Sequence, residues 1–139
     1  MTVIVDKIRL KSKAELDIVD ITPALRSALS KTNLENGTVT VFIPGATGAI
    51  TTIEFEPGLL KDFPAALNRL FPKDMYYFHH ETWHDDNGHS HVRAAMMSPS
   101  LTIPFSQGRL ILGTWQQVVF VELDTRARTR QLSLTFTGE

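Results

Sequence analysis

The sequence predicts an α+β domain, mostly antiparallel sheet with about three helices, and three observations predict it. Short runs rich in Val, Ile and Thr recur from one end of the chain to the other. Apolar stripes at helical spacing occupy only three places. Turn signals such as Asn36-Gly37, Pro57-Gly58 and Gln107-Gly108 separate the runs at short intervals.

Taken in order, Thr2 to Leu10 reads as a strand, and Glu15 to Ile21 as a second that pairs with it in a hairpin. Thr22 offers an N-cap oxygen and Pro23 suits the first helical position. Leu25, Ala28 and Leu29 then form one buried face. After Asn36-Gly37, Val39, Val41 and Ile43 alternate with Thr38, Thr40 and Phe42, which gives a strand apolar on both faces and therefore central. Pro44 ends it. The small-residue loop Gly45-Ala46-Thr47-Gly48-Ala49 leads into a strand from Ile50 to Phe55. A helix follows with Leu60, Phe63, Leu67, Leu70 and Phe71 roughly on one face, and Pro64 predicts a kink or a restart near Phe63.

Tyr76 to Phe78 reads as a short strand, and Gly88 to Met97 as a helix with Val92, Ala95 and Met96 facing inward. Strands are then expected at Leu101 to Pro104, Arg109 to Leu112, Trp115 to Leu123 and Thr129 to Thr137. In the last of these Leu132, Leu134 and Phe136 share one face.

Composition narrows the chemistry. The 139 residues carry 14 basic and 15 acidic side chains, a net charge of -1, which argues against a nucleic-acid footprint and against a polybasic membrane anchor. There is no cysteine, so thiolate metal sites and cysteine nucleophiles are excluded. No apolar run is long enough for a signal peptide or a membrane span, and the expected location is the cytoplasm.

All five histidines, His79, His80, His84, His89 and His91, fall in the segment HHETWHDDNGHSH together with Glu81, Asp85 and Asp86. Neutral imidazole ligates zinc, copper, nickel and iron, and a carboxylate completes such a shell. Backbone geometry decides which rings cooperate. In an extended segment His89 and His91 lie on one side, about 6.6 Å apart; in a helix they diverge by about 200°. His91 in a first helical turn is kept neutral by the positive helix end. His79 follows an aromatic run and sits on better-fixed backbone than His84. The plain alternative is a solvated polar loop whose Asp86 or Asn87 caps a helix.

Other features carry less. The Gly45-Ala46-Thr47-Gly48 loop is either a phosphate cradle built on backbone amides or a simple turn. Gln116 and Glu122 share a strand face with Val118 and Phe120, so a buried Glu122 needs a partner: a substrate, a neighbouring subunit, or, as the favoured choice, a salt bridge to Arg109, Arg128 or Arg130. Neither Ser100 nor Thr114 has the surroundings of a nucleophile.

The run from Asn87 to His91, the stretch SPSLTIPFSQGRLILGTWQQVVFVELD and the closing Thr137-Gly138-Glu139 strongly resemble the YjbQ family, also called secondary thiamine-phosphate synthases. The resemblance covers essentially the whole chain. It implies a homotrimer with a pocket near subunit boundaries, holding a divalent metal (Zn or Mg) in some members. The implied activity is a weak joining of a pyrimidine diphosphate to a thiazole phosphate. Under that resemblance Glu54, Asp62 and His91 are the catalytic candidates, and His79, His89 and His91 the metal ligands. Ser100, Arg109, Thr114, Trp115 and Gln116 are then expected to contact a small phosphorylated substrate. One departure stands out. Many members carry a His-Thr-Thr/Ser-Ala loop where this chain has Gly45-Ala46-Thr47-Gly48-Ala49. Either His84 or His89 replaces the missing ring, or the chemistry differs. Two further readings use the same histidines: a non-enzymatic metal or small-ligand binding protein, and a metal-assisted hydrolase of a phosphorylated metabolite.

Overall fold

Twelve elements run through the computed structural model, which describes residues 1–139. In chain order they are β1 (Thr2–Lys11), β2 (Asp17–Asp20), α1 (Thr22–Thr32), β3 (Gly37–Phe42), β4 (Gly48–Ile53), α2 (Leu59–Leu70), α3 (His79–Trp83), α4 (Gly88–Met97), β5 (Ser100–Ser106), β6 (Arg109–Leu110), β7 (Gln117–Glu122) and β8 (Thr129–Gly138). The strands form two sheets, one ordered β1-β8-β3-β5-β6 and one ordered β2-β7-β4, and every ladder is antiparallel. The architecture is α+β, as the sequence predicts, with four helices instead of about three.

Strand β7 explains the layering. Its Val118 and Phe120 point into a core shared with α1, β3, β5 and β8, while Val119, Val121 and the following Leu123 join Ala49, Leu67 and Ala94 in a second core. A strand apolar on both faces must be covered on both. The five-stranded sheet covers one face of β7, and α2 and α4 cover the other. On β8 the expected alternation holds: Leu132, Leu134 and Phe136 are fully buried, and Ser133, Thr135 and Thr137 lie on the opposite face. Burying each of these large apolar side chains contributes about 1.5–3 kcal/mol.

Several local expectations are corrected. The first two strands do not form a hairpin: β1 pairs with β8 and β2 with β7, because each finds a longer or more apolar partner strand in a different sheet. Thr22 does not cap α1. Its hydroxyl instead accepts a hydrogen bond from the backbone N–H of Val118 at 2.8 Å, tying the helix start to β7. Helix α2 runs unbroken through Pro64, the sixth of its twelve residues, where the missing N–H forfeits one backbone bond. Tyr76 to Phe78 is not a strand; these residues lead directly into the short helix α3, where the sequence suggests only an irregular histidine segment. No helix is long and apolar enough to cross a membrane.

The two faces of β8 make unequal demands. Leu134→Ala should lower unfolding free energy by about 2–5 kcal/mol, whereas Ser133→Ala on the outer face should stay within about 0.5 kcal/mol. Urea unfolding followed by circular dichroism measures both.

Candidate functional site

The histidine segment folds as two helices joined at residues 84–87, and this decides which rings meet. Gly88 opens α4 against Tyr77 so closely that a Cβ at residue 88 would stand 2.5 Å from the tyrosine Cβ. Tyr77 is itself anchored, its hydroxyl donating to the carbonyl of Pro72 at 2.6 Å. Because α4 is helical from Gly88, His89 and His91 point to different sides, the second of the two geometries weighed from sequence.

His91 faces His79, with ring centroids 4.4 Å apart. The Nε2 of His79 lies 3.3 Å from Asp85 Oδ1. The Asn87 amide sits between neighbouring acids. One orientation of its nitrogen serves Asp124 Oδ1 at 3.4 Å; the other serves Asp85 Oδ1 at 3.0 Å and His79 Nε2 at 3.2 Å. Burial pushes the His91 imidazole below its ordinary value, and nearby His79 adds to the effect. Together they outweigh the pull of Asp124 and Asp85. His91 is therefore neutral at pH 7.

His89 belongs elsewhere. It is 1% exposed, and its Nε2 meets Glu15 Oε2 at 2.8 Å. Glu15 also holds Lys73 Nζ at 2.9 Å, and the buried Arg93 guanidinium approaches it at 3.8 Å. Arg93 donates to the carbonyl of Phe71 and to Asn68 Oδ1, and burial lowers its pKa against the opposing pull of Glu15. This cluster fastens α4 to α2 and to the segment before β2. His89 is thus removed from the expected ligand set of His79, His89 and His91, since a helix cannot turn residues 89 and 91 to one point. No group of three or more His, Asp or Glu side chains is arranged to hold a metal ion.

Behind His91 lies a buried ion network. Glu122, on β7, is fully buried and binds Arg130 of β8 through Nε at 2.8 Å and Nη2 at 2.5 Å; Ser12 donates to the same carboxylate. Of the partners considered from sequence, Arg130 is the one used. Asp124 accepts from Arg128 at 2.7 Å and from the Thr47 hydroxyl at 3.1 Å. Burial alone would raise the Asp124 pKa. The Thr125 N–H, Arg128 and Asn87 outweigh it and hold the carboxyl below its ordinary value.

A cleft of about 330 Å³ lies in front, lined by Gly45 and Ala46 of the loop after β3, by Gly48 at the start of β4, by His91, Ala94 and Ala95 of α4, and by Pro99. The other predicted residues scatter. Glu54, Thr114, Trp115 and Gln116 converge on a separate, open pocket of about 350 Å³, where Trp115 is 73% exposed and Gln116 bonds Thr52. Arg109 lines a third groove with Arg26 and Leu29. Asp62 is exposed on the first turn of α2, and Ser100 is half-buried at the start of β5. Sequence reading passed over Glu15, Arg93 and Asp124. Only the spacing of Asp124 and Arg128, which pair four residues apart, signals any of them.

The sequence matches the family described as UPF0047 protein, YjbQ-like, over residues 6–139. It is 33% identical over 139 residues to a UPF0047 protein of Methanothermobacter thermautotrophicus, covering 100% of this chain and 95% of that one. A UPF0047 protein of Mycobacterium tuberculosis strain H37Rv is 38% identical over 121 residues, 86% of this chain and 87% of its own. Among solved structures, a YbjQ-like protein of unknown function from Sulfolobus solfataricus superimposes with a TM-score of 0.93 at 29% identity, covering 99% of both chains. A hypothetical protein from Aeropyrum pernix gives 0.91 at 32% identity, covering 98% of this chain and 99% of that one.

Two of the shifted groups, His91 and Asp124, set the pH dependence on the acid side. His91 binds fewer protons when folded than when unfolded, so its contribution to stability is lost as pH falls below about 6.5. Asp124 has a depressed folded pKa, and its contribution is lost as pH falls below 3.8. Urea midpoints should therefore decline in two stages on acidification. His91→Gln should flatten only the upper stage and Asp124→Asn only the lower.

Proposed function

We infer that this chain, which belongs to the YjbQ-like UPF0047 family, is a transferase resembling thiamine-phosphate synthase. It joins a pyrimidine diphosphate to a thiazole phosphate in the cleft in front of His91. In that reaction the carbon–oxygen bond to the diphosphate breaks, pyrophosphate leaves with the electron pair, and the thiazole nitrogen forms the new carbon–nitrogen bond. The observation that carries the reading is a half-buried imidazole, neutral by burial, at the wall of a cleft floored by glycine and alanine. A neutral ring keeps one N–H to donate to the departing oxygen and one lone pair to accept a proton. His79, at 4.4 Å, orients it. Glu54 and Trp115 serve a second pocket, whose exposed indole suits a planar ring.

The reading includes a homotrimer whose copies bring the two pockets together. It is supported by the outer face of the five-stranded sheet, where Val3, Thr137, Thr38 and Pro104 form one uncharged row and Val5, Thr135, Thr40 and Thr102 the next. An uncharged exposed sheet face is what a second copy covers at low desolvation cost.

A second reading, a divalent-ion binding protein with His79 and His91 as ligands, is favoured by the closeness of those two rings. Two imidazoles fall short of a closed site within one chain, and no step of the reaction above is routed through a metal.

Purified protein given both phosphorylated precursors should form thiamine phosphate as a species three times the 15.6 kDa chain mass in sedimentation. His91→Ala should cut turnover by about 100-fold or more while leaving the fold intact. Absence of product above a boiled control rejects the transferase. Zinc retained stoichiometrically after dialysis, and lost in His79→Ala, establishes the second reading instead.

A further inference from the structure

The loop between β3 and β4 leaves its amides unpaired. The backbone N–H groups of Gly45, Ala46 and Thr47 find no acceptor anywhere in the protein, although Thr47 is buried. Gly45 and Ala46 are exposed at the mouth of the cleft, and Thr47 behind them is buried, where an unpaired amide needs a partner. Successive N–H groups in a glycine-containing loop form a concavity suited to anions. Gly45, at φ +116°, holds a conformation that other residues rarely adopt, so the loop shape depends on it.

The loop is fixed from behind. Arg130 donates to the Thr47 hydroxyl at 2.9 Å, and that hydroxyl donates to Asp124. The Nη1 of Arg130 makes no hydrogen bond and lies 3.4 Å from where a Gly45 Cβ would stand. Glu122 and Asp124 are matched by Arg130 and Arg128, so the charges behind the loop cancel and the amides dominate the field in front. Across the cleft stands His91, and Ser90, one residue earlier, is buried with a hydroxyl that has no partner.

We propose that this loop is the phosphoryl subsite of the cleft: Gly45, Ala46 and Thr47 N–H groups, faced by His91, bind a diphosphate or the phosphate of a phosphorylated substrate. The inference rests on the transferase reading for the chemistry of the substrate, but not for the binding itself. The small side chains of Gly45 and Ala46 let a phosphate reach the backbone, a role that a bulkier side chain at either position would block.

Isothermal titration of the full chain with inorganic pyrophosphate, and separately with orthophosphate, tests it. Ala46 is exposed, so a substitution there spares the core. Ala46→Asp should weaken pyrophosphate binding by about tenfold or more, while Ala46→Gly, which adds neither bulk nor charge, should stay within about threefold. Equal binding by wild type and Ala46→Asp, or loss of binding in Arg109→Gln instead, overturns the subsite and moves the anion to the Arg26 and Arg109 groove. No binding heat at about 10 mM pyrophosphate also overturns it. Pyrophosphate bound at the loop without thiamine phosphate formation upholds the subsite and rejects the transferase.

Discussion

A carboxylate buried where water cannot reach must be neutralised, and in this protein one guanidinium does it. Glu122 lies on the middle strand of the smaller sheet and Arg130 on an inner strand of the larger. Their pair is therefore the polar bond between the two layers. Removing one partner of such a pair costs about 3–5 kcal/mol, because the other charge is left stranded. Arg130 also donates to Thr47, and Thr47 to Asp124, so the same guanidinium sets the position of the loop in front of His91. Packing of the sheets and shape of the cleft share one cause.

Helix α4 divides the remaining chemistry. One side carries His91 to the cleft and to His79. The other carries His89 and Arg93 into the Glu15 cluster with Lys73. That cluster is a fastening: each cation is spoken for by the same carboxylate or by a carbonyl, and its role is to keep α4 from rotating. A rotation would swing His91 away from the loop. The five histidines, one cluster in the sequence, thus serve separate purposes in space, and His80 contributes only locally by contacting the Asp85 carbonyl.

The fold was largely legible because its signals are local. Alternation on β8 and the span of α4 follow directly from residue type and spacing. The inward face of α4 does not: Val92, Ala95 and Met96, expected to face inward, are exposed, and His89, Arg93 and Ala94 are buried instead because the Glu15 cluster holds that side of the helix. Strand pairing was not legible in the same way. Nothing within Thr2 to Asp20 says that its two strands choose β8 and β7 over each other, since the choice is made by partners about 100 residues or more away. The aromatic run Tyr76 to Phe78 has strand composition but no neighbouring strand to bond, and so remains irregular. In the site, His79, His91 and the glycine loop were found from residue type. Glu15 and Asp124 were not, because an isolated acid gains meaning only from the cations that topology brings to it. The resemblance to a family implied one pocket for Glu54, Asp62, His91 and the substrate contacts Ser100, Arg109, Thr114, Trp115 and Gln116; within the chain Glu54, Thr114, Trp115 and Gln116 line a pocket separate from the histidine cleft.

The central claim is that backbone amides of residues 45–47 and the His91 ring face a common anion. A crystal structure of the protein grown with pyrophosphate tests it most directly. The account predicts phosphorus density within hydrogen-bond reach of those amides, with the His79 and His91 rings still in contact. Density lodged beside Arg26 and Arg109, with the loop empty, would contradict it.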